Sequence, residues 1–155
     1  MKRFKLLGLT AALLALCLNV SADDKKADDK KGHDEHGGAF MECAKACDDC
    51  ARSCDACGAH CAKLLAEGKK DHLKTLQTCQ DCATTCSAAS CIVARHGPFS
   101  HTICVACADT CKQCGEACEK FKNDDMMKRC ADECRKCEKA CREMLKHTGA
   151  ADASR

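Results

Sequence analysis

Residues 43–61 read CAKACDDCARSCDACGAHC, and cysteine recurs along this stretch at alternating steps of four and three residues. Steps of three and four place side chains on one face of an α-helix, where a soluble helix ordinarily carries larger apolar residues such as leucine. The charged residues of the stretch fall between the cysteines and therefore lie off that face. The stretch predicts an amphipathic helix whose buried face is lined with thiols.

Three later segments repeat this cysteine spacing, so the chain is expected to form four helices. Their predicted limits are Phe40 to Glu67, an N-cap at Asp71 to Arg95, an N-cap at Ser100 through Cys118, and an N-cap at Asn123 or Asp124 to residue 148. Gly68 and the pair Gly97-Pro98 are the expected breaks between them. Because short connections favour antiparallel neighbours, we predict an all-α fold, an antiparallel up-down-up-down four-helix bundle over residues 40–148 with a cysteine-lined core.

The segments outside the bundle differ from it in composition. Residues 1–22 have the layout of a signal peptide: a basic start, an apolar run from Leu6 to Leu18 that is too short to span a bilayer, and a small-residue cleavage site ending at Ala22. Cys17 is assigned to that discarded peptide. Residues 23–39 are charged and lack apolar periodicity, which predicts a disordered charged arm, and residues 149–155 are expected to form a flexible tail. We therefore predict export to the periplasm or the extracellular space.

The two ends of the predicted bundle carry different residues. In an antiparallel arrangement the start of the first helix meets the end of the second, the start of the third and the end of the fourth. One end, here called the mouth, then collects Met41, Cys43, Cys91, His101, Cys104, Cys141, Met144 and His147. The other, here called the closed end, collects the larger apolar residues Leu64, Leu65, Leu76, Phe121 and Met127.

The spacing of the thiols favours a soft metal over a disulfide framework. Residues three or four apart on a helix have Cβ atoms about 5 to 6 Å apart, whereas a disulfide requires a Cβ–Cβ distance of roughly 3.5 to 4.5 Å. Structural zinc wants separate closed sites of four ligands, and the sequence shows continuous ladders instead. Cu(I) accepts two or three thiolates and cancels one charge per thiolate. The pattern therefore favours storage of multiple Cu(I) ions, with a ceiling of roughly 15 to 20 per chain.

The ladders Cys43-x3-Cys47-x2-Cys50, Cys104-x2-Cys107 and their continuations resemble those of the bacterial copper storage proteins, cysteine-rich four-helix bundles that hold many Cu(I) ions. The resemblance covers about residues 40 to 147. It implies that thiolates bind most of the copper, with Met and His helping at the mouth, that the chain forms tetramers, and that the family has an exported and a cytosolic branch. The predicted signal peptide places this chain with the exported branch. The metal ligands so predicted are Cys43, Cys47, Cys50, Cys54, Cys57, Cys61, Cys79, Cys82, Cys86, Cys91, Cys104, Cys107, Cys111, Cys114, Cys118, Cys130, Cys134, Cys137 and Cys141, with Met41, His101, Met144 and His147 at the mouth.

Other functions find less support in the sequence. No set of residues suited to nucleophilic, acid–base or phosphate chemistry stands out, so the chain is not expected to be an enzyme. After removal of residues 1–22 the chain has 22 basic and 23 acidic residues, and such a balance gives no reason to expect nucleic acid or membranes as partners. Two alternatives stay open. One is a disulfide-stapled exported structural protein, and the other is a buffer for zinc or another soft metal.

Overall fold

The computed structural model describes residues 34–152 and forms a bundle of four α-helices. The helices are α1 (Asp34–Ala66), α2 (Leu73–Ala94), α3 (Ser100–Cys118) and α4 (Asp125–Asp152), with a 3-10 turn at Lys70–His72 before α2. Helix α1 packs against α2 and α4, and α3 packs against the same two helices. The predicted up-down-up-down bundle is confirmed. The predicted signal peptide, Cys17 and residues 23–33 of the predicted arm lie outside the described residues.

The outer helices are longer than the cysteine pattern predicts. Helix α1 begins at Asp34 and not at Phe40, and α4 continues to Asp152 and not to residue 148. Two glycines lie in the first turns of α1, and their cost of about 1 kcal/mol each does not stop a helix that the core already holds. After Gly149 the chain continues with two alanines, the best helix formers. The parts of the predicted arm and tail next to the bundle are therefore helical.

The turns after α1 and α2 use the left-handed conformation in different ways. Gly68 follows α1 with a positive φ of 88°, as the sequence predicts. After α2 the residue with positive φ is His96, at 52°, and not Gly97. The amide of Gly97 donates to the carbonyl of Ile92 at 3.0 Å, and a Cβ at Gly97 would lie 3.1 Å from that oxygen. Glycine is needed there for space and not for its φ angle. The His96 ring stacks on Phe40 with ring centroids 4.2 Å apart.

Two of the predicted N-caps are wrong. Asp71 lies inside the 3-10 turn, and its carboxylate accepts from Nδ1 of His72 at 2.9 Å and not from the first amides of α2. Ser100 is already helical, and its hydroxyl donates to the carbonyl of Gly97 at 2.7 Å. In both cases a closer backbone or side-chain partner takes the group that would otherwise cap the helix.

Asp124 is the N-cap of α4, as predicted. Its Oδ1 accepts from the amides of Met126 and Met127 at 2.9 and 3.1 Å, and its Oδ2 lies 2.7 Å from Nε2 of His60. We expect Asp124→Ala to lower the free energy of unfolding of the metal-free protein by about 1 kcal/mol, because two orphan amides lose their acceptor. Anaerobic urea denaturation with reductant present measures this. The control is Asp125→Ala in the next, exposed position, and an equal loss in both variants would contradict the capping role.

The core of the bundle is made of small side chains. Cysteine fills most buried positions, alanine fills others, and the largest fully buried side chains are Met127, Met144 and Val93. Small side chains remove less apolar surface from water than leucine or phenylalanine would. The metal-free bundle therefore rests on an unusually modest apolar core.

None of the helices in residues 34–152 combines the length and hydropathy that a membrane span needs.

Candidate metal centre

The thiols of the bundle meet along its axis. Among residues 34–152 all nineteen cysteines are free thiols, and every one is buried except Cys91. Neighbouring Sγ atoms on different helices lie as close as 3.4 Å, between Cys86 and Cys111, and pairs at 4.0 Å are common, as between Cys43 and Cys104. A disulfide bond would need about 2.05 Å. The thiols therefore lie side by side without being bonded to one another.

The parallel helices α1 and α3 face each other turn by turn across the axis. Five Sγ pairs join them at 4.0, 3.9, 3.8, 3.9 and 4.0 Å, namely Cys43–Cys104, Cys47–Cys107, Cys50–Cys111, Cys54–Cys114 and Cys57–Cys118. The register persists because two parallel helices rise by the same 1.5 Å per residue. Cysteines of α2 and α4 contact these pairs from the sides, for example Cys82 on Cys111 at 3.7 Å. The result is a continuous column of sulfur.

Within the column, thiols gather in groups of four. In each group all four Sγ atoms lie within 4.8 Å of one another. Five of these quartets, taken from the mouth toward the closed end, are Cys47/Cys107/Cys137/Cys141, Cys50/Cys82/Cys86/Cys111, Cys50/Cys54/Cys82/Cys134, Cys54/Cys114/Cys130/Cys134 and Cys57/Cys79/Cys118/Cys130. The sequence pattern predicts ladders without discrete quartets, and the tertiary structure does bring quartets together.

Four of the five quartets are not separate sites, because each shares members with a neighbouring quartet. The second and third have Cys50 and Cys82 in common, the third and fourth have Cys54 and Cys134 in common, and the fourth and fifth share Cys130. Zn–S bonds of about 2.3 Å give a tetrahedron with edges of about 3.8 Å, so sulfur spacing alone would also suit zinc. The sharing of thiols does not suit separate zinc sites, since a thiolate that belongs to two groups must bridge two metal ions when both groups are occupied. The column is therefore built for a connected cluster.

The environment of the thiols couples metal binding to proton release. Burial, with a contribution from neighbouring Cys57, raises the pKa of Cys61 to about 12. Hydrogen bonds from Cys107 and Cys137 lower the pKa of Cys47 to about 6, because they stabilise its thiolate. A few thiolates can thus be held by the S–H groups around them, while their neighbours keep their protons. Each further ionisation requires a metal cation to replace a proton.

At the mouth the structure brings together most of the predicted residues. Cys43 lies 4.0 Å from Cys104 and 3.9 Å from Cys141, measured between Sγ atoms. Met144 is buried beside them, and His147 lines, with Cys43 and Met144, a surface groove between α1 and α4 of about 300 Å³. Nδ1 of His101 lies 3.1 Å from the hydroxyl of Thr148. The groove leads from solvent to the outermost thiols.

Met41 and Cys91, two predicted ligands, do not face the column. Met41 is 55% exposed, and Cys91 is exposed on α2. A step of two residues turns Met41 about 200° away from the Cys43 position, and the step of five turns Cys91 about 140° away from Cys86. The core stripe of α2 continues instead through two residues at the expected steps, Ala89 and Val93.

The exposure of Cys91 has a measurable consequence. In the reduced, metal-free protein we expect a maleimide reagent to modify Cys91 at least about ten-fold faster than the buried thiols of the bundle, because those react only after local opening. Mass spectrometry of peptides over time gives the rate at each site. In Cys91→Ser the fast phase within residues 34–152 should vanish, and comparable rates at Cys91 and Cys54 would contradict the burial described above.

The closed end agrees in most respects with the sequence pattern. Leu64 and Met127 are buried, and Leu76 and Phe121 pack against the core, whereas Leu65 is only half-buried and lies outside the core cluster. His72 stacks on Phe121 with ring centroids 4.2 Å apart, which adds an aromatic lid that the sequence did not indicate. The predicted difference between the two ends is present in the fold.

Comparison with known proteins assigns the chain to a family. The family model described as copper storage protein matches residues 33–146, which is most of the chain and all of its sulfur column. The chain belongs to the copper storage protein family. A search of the curated proteins finds no match. The description of the family is one of copper storage.

Solved structures of copper storage proteins resemble the chain over most of their length. A cytosolic copper storage protein from Streptomyces lividans, studied during loading with five coppers, is 30% identical, with a TM-score of 0.65 over 72% of this chain and 95% of that one. The same protein loaded with 10 copper equivalents gives 30% identity and a TM-score of 0.64 over 78% and 92%. The Cu(I)-bound copper storage protein BsCsp3 is 33% identical, with a TM-score of 0.62 over 72% and 99%. Copper loading is thus a property of these relatives.

Proposed function

We propose that this copper storage protein holds roughly 15 to 20 Cu(I) ions per chain as one connected thiolate cluster along the bundle axis. The observation that carries the proposal is the sharing of cysteines between neighbouring quartets, such as Cys54 and Cys134. Thiolates that bridge two ions allow close to one Cu(I) per thiolate, which separate sites do not. The ligands in this proposal are the buried cysteines of α1 to α4.

Charge favours Cu(I) over zinc in this column. The four linked quartets that run from Cys86 to Cys57 draw on eleven different cysteines. If all were ionised, four Zn²⁺ would leave three negative charges uncompensated in a buried site, whereas one Cu(I) per thiolate leaves none. Uncompensated buried charge costs several kcal/mol per ion. A zinc buffer would therefore leave much of the column protonated and unused.

Copper is proposed to enter at the mouth. The groove there ends on Cys43 and Met144 and has His147 at its rim, so soft donors lead from solvent to the first quartet. His101 and Thr148 lie at the same end. Met144 and His147 are proposed as transient ligands of arriving ions and His101 as a further candidate, while the exposed positions of Met41 and Cys91 make both poor candidates for ligands.

An anaerobic Cu(I) titration with a competing chelator tests the storage function. We expect roughly 15 to 20 ions per chain and release of close to one proton per ion bound by a protonated thiol. Saturation after a few equivalents, with bound zinc left in place, would support the zinc buffer instead. Fewer than about four free thiols in the native metal-free protein would support the disulfide-stapled alternative.

Export is proposed on the sequence of residues 1–22, and tetramer formation on the resemblance to the copper storage family. We propose that residues 1–22 direct secretion, that the mature chain begins at Asp23, and that mature chains form tetramers. The Streptomyces relative is described as cytosolic, so the location of this chain needs its own test. Mass spectrometry of the protein from fractionated bacterial cells distinguishes the two locations, since a full-length chain in the cytosol would contradict export. Light scattering of the same sample gives the oligomeric state.

A further inference from the structure

The sulfur column ends on a thioether at the closed end. The Sδ atom of Met127 lies 3.4 Å from Sγ of Cys57, whose thiol points its hydrogen toward it. The Met127 side chain is 0% exposed. Its backbone amide is bonded to the Asp124 carboxylate at 3.1 Å, so the residue is anchored at the first turn of α4. A soft sulfur donor is therefore held in contact with Cys57 near the closed end of the column.

The surroundings of Met127 make a further thiolate costly. Cys57 belongs to the quartet nearest this end, and the buried Cys61 lies one helical turn beyond it. Asp124 places a negative charge near Cys61, because its carboxylate lies 2.7 Å from Nε2 of the adjacent His60. Negative charge added here is disfavoured both by burial and by a nearby carboxylate. A neutral donor can complete the coordination of a metal ion without adding charge.

We propose that Met127 is a Cu(I) ligand and that its thioether, with the thiolates that Cys57 and Cys61 form by releasing their protons, holds the terminal ion of the column. This inference rests on the proposed storage of Cu(I). Thioether sulfur is soft and selects Cu(I), and it loses no proton on binding. The residue that the sequence pattern assigns to apolar closure of the bundle thus has a second role, since it gives the innermost ion a neutral cap.

The competing explanation is that Met127 only fills space. Leucine at this position would then close the bundle equally well, because it is apolar and of similar volume. The two explanations differ in whether copper contacts this sulfur. Met126, the adjacent residue, offers a matched control, because it is only partly buried and its sulfur lies 3.9 Å from the exposed guanidinium of Arg129.

Selenium labelling separates the two explanations. The full chain carrying Met41→Leu, Met126→Leu and Met144→Leu is produced with selenomethionine and loaded anaerobically with Cu(I), so that selenium stands at Met127 and at Met1. X-ray absorption at the selenium edge should show a copper neighbour at bonding distance. The same chain with Met127→Leu added should lose that neighbour. This measurement needs no change at Met127 in the labelled protein, so misfolding of a variant cannot imitate the result.

Copper capacity gives a second, independent readout. In the otherwise unmodified chain, Met127→Leu should lower the Cu(I) capacity by about one ion, and Met126→Leu should leave it unchanged. Full capacity without copper at the selenium of Met127 would overturn the ligand role and leave Met127 as an apolar plug. Saturation of every variant after only a few ions would instead contradict the storage proposal itself, which is a distinguishable outcome.

Discussion

Anaerobic loading with Cu(I) is expected to raise the melting temperature of the protein by at least about 20 °C. The metal-free core consists of cysteine and alanine with few large side chains, so its apolar contribution is small. A ligand present at a hundred times its Kd for one site adds about 2.7 kcal/mol to the free energy of unfolding. Each added kcal/mol raises the melting temperature of a domain of this size by about 4 °C. Cu(I) bound by the shared thiols would also cross-link the four helices, as proposed above.

Circular dichroism under nitrogen, with the metal-free and the loaded protein in the same buffer, measures this shift. Removal of copper with a strong chelator should return the melting temperature to its metal-free value, which excludes an effect of thiol oxidation. Equal melting temperatures for the two states would mean that the ions bind outside the core, and the column would not be the storage site.

Cys54→Ser is expected to remove about two Cu(I) ions from the capacity, and Cys91→Ser none. Cys54 belongs to two quartets and has Sγ contacts of 3.9, 3.8 and 3.7 Å with thiols on α3 and α4, Cys114, Cys130 and Cys134. Serine is nearly the same size, so the fold should persist, but its hard oxygen is a poor ligand for Cu(I). A bridging position lost in the middle of a cluster affects the ions on both sides of it.

The matched pair of variants isolates bridging from the mere count of cysteines. Both variants lose one thiol, and only Cys54 lies in the column. Anaerobic titration with a competing chelator gives the two capacities directly. If Cys91→Ser lowers the capacity as much as Cys54→Ser does, copper binds wherever thiols are available, and shared quartets do not set the stoichiometry.

Much of the fold can be predicted from local sequence, and the wrong predictions have local causes. The helix that carries residues 43–61 can be predicted because a period of three and four depends only on the rise and turn of one helix. The same period places Cys91 outside the buried stripe of α2, which continues after Cys86 through Ala89 and Val93. The prediction of Cys91 as a ligand rests on its being a cysteine and not on its place in this period. The helix ends are harder to predict, since the side chains of Asp71 and Ser100 form hydrogen bonds with residues of the turn that precedes each helix instead of capping the helix.

The sequence by itself determined that this chain makes four helices with a thiol face each, because helical periodicity and breaking residues act over a few positions. Only the tertiary structure decided which thiols meet, since the rotation and the axial register of each helix depend on contacts between residues such as those 21 and 98 positions apart. That register places Cys54 in two quartets and brings Met127 against Cys57. The stripe thereby becomes a column of shared quartets with a thioether at its inner end.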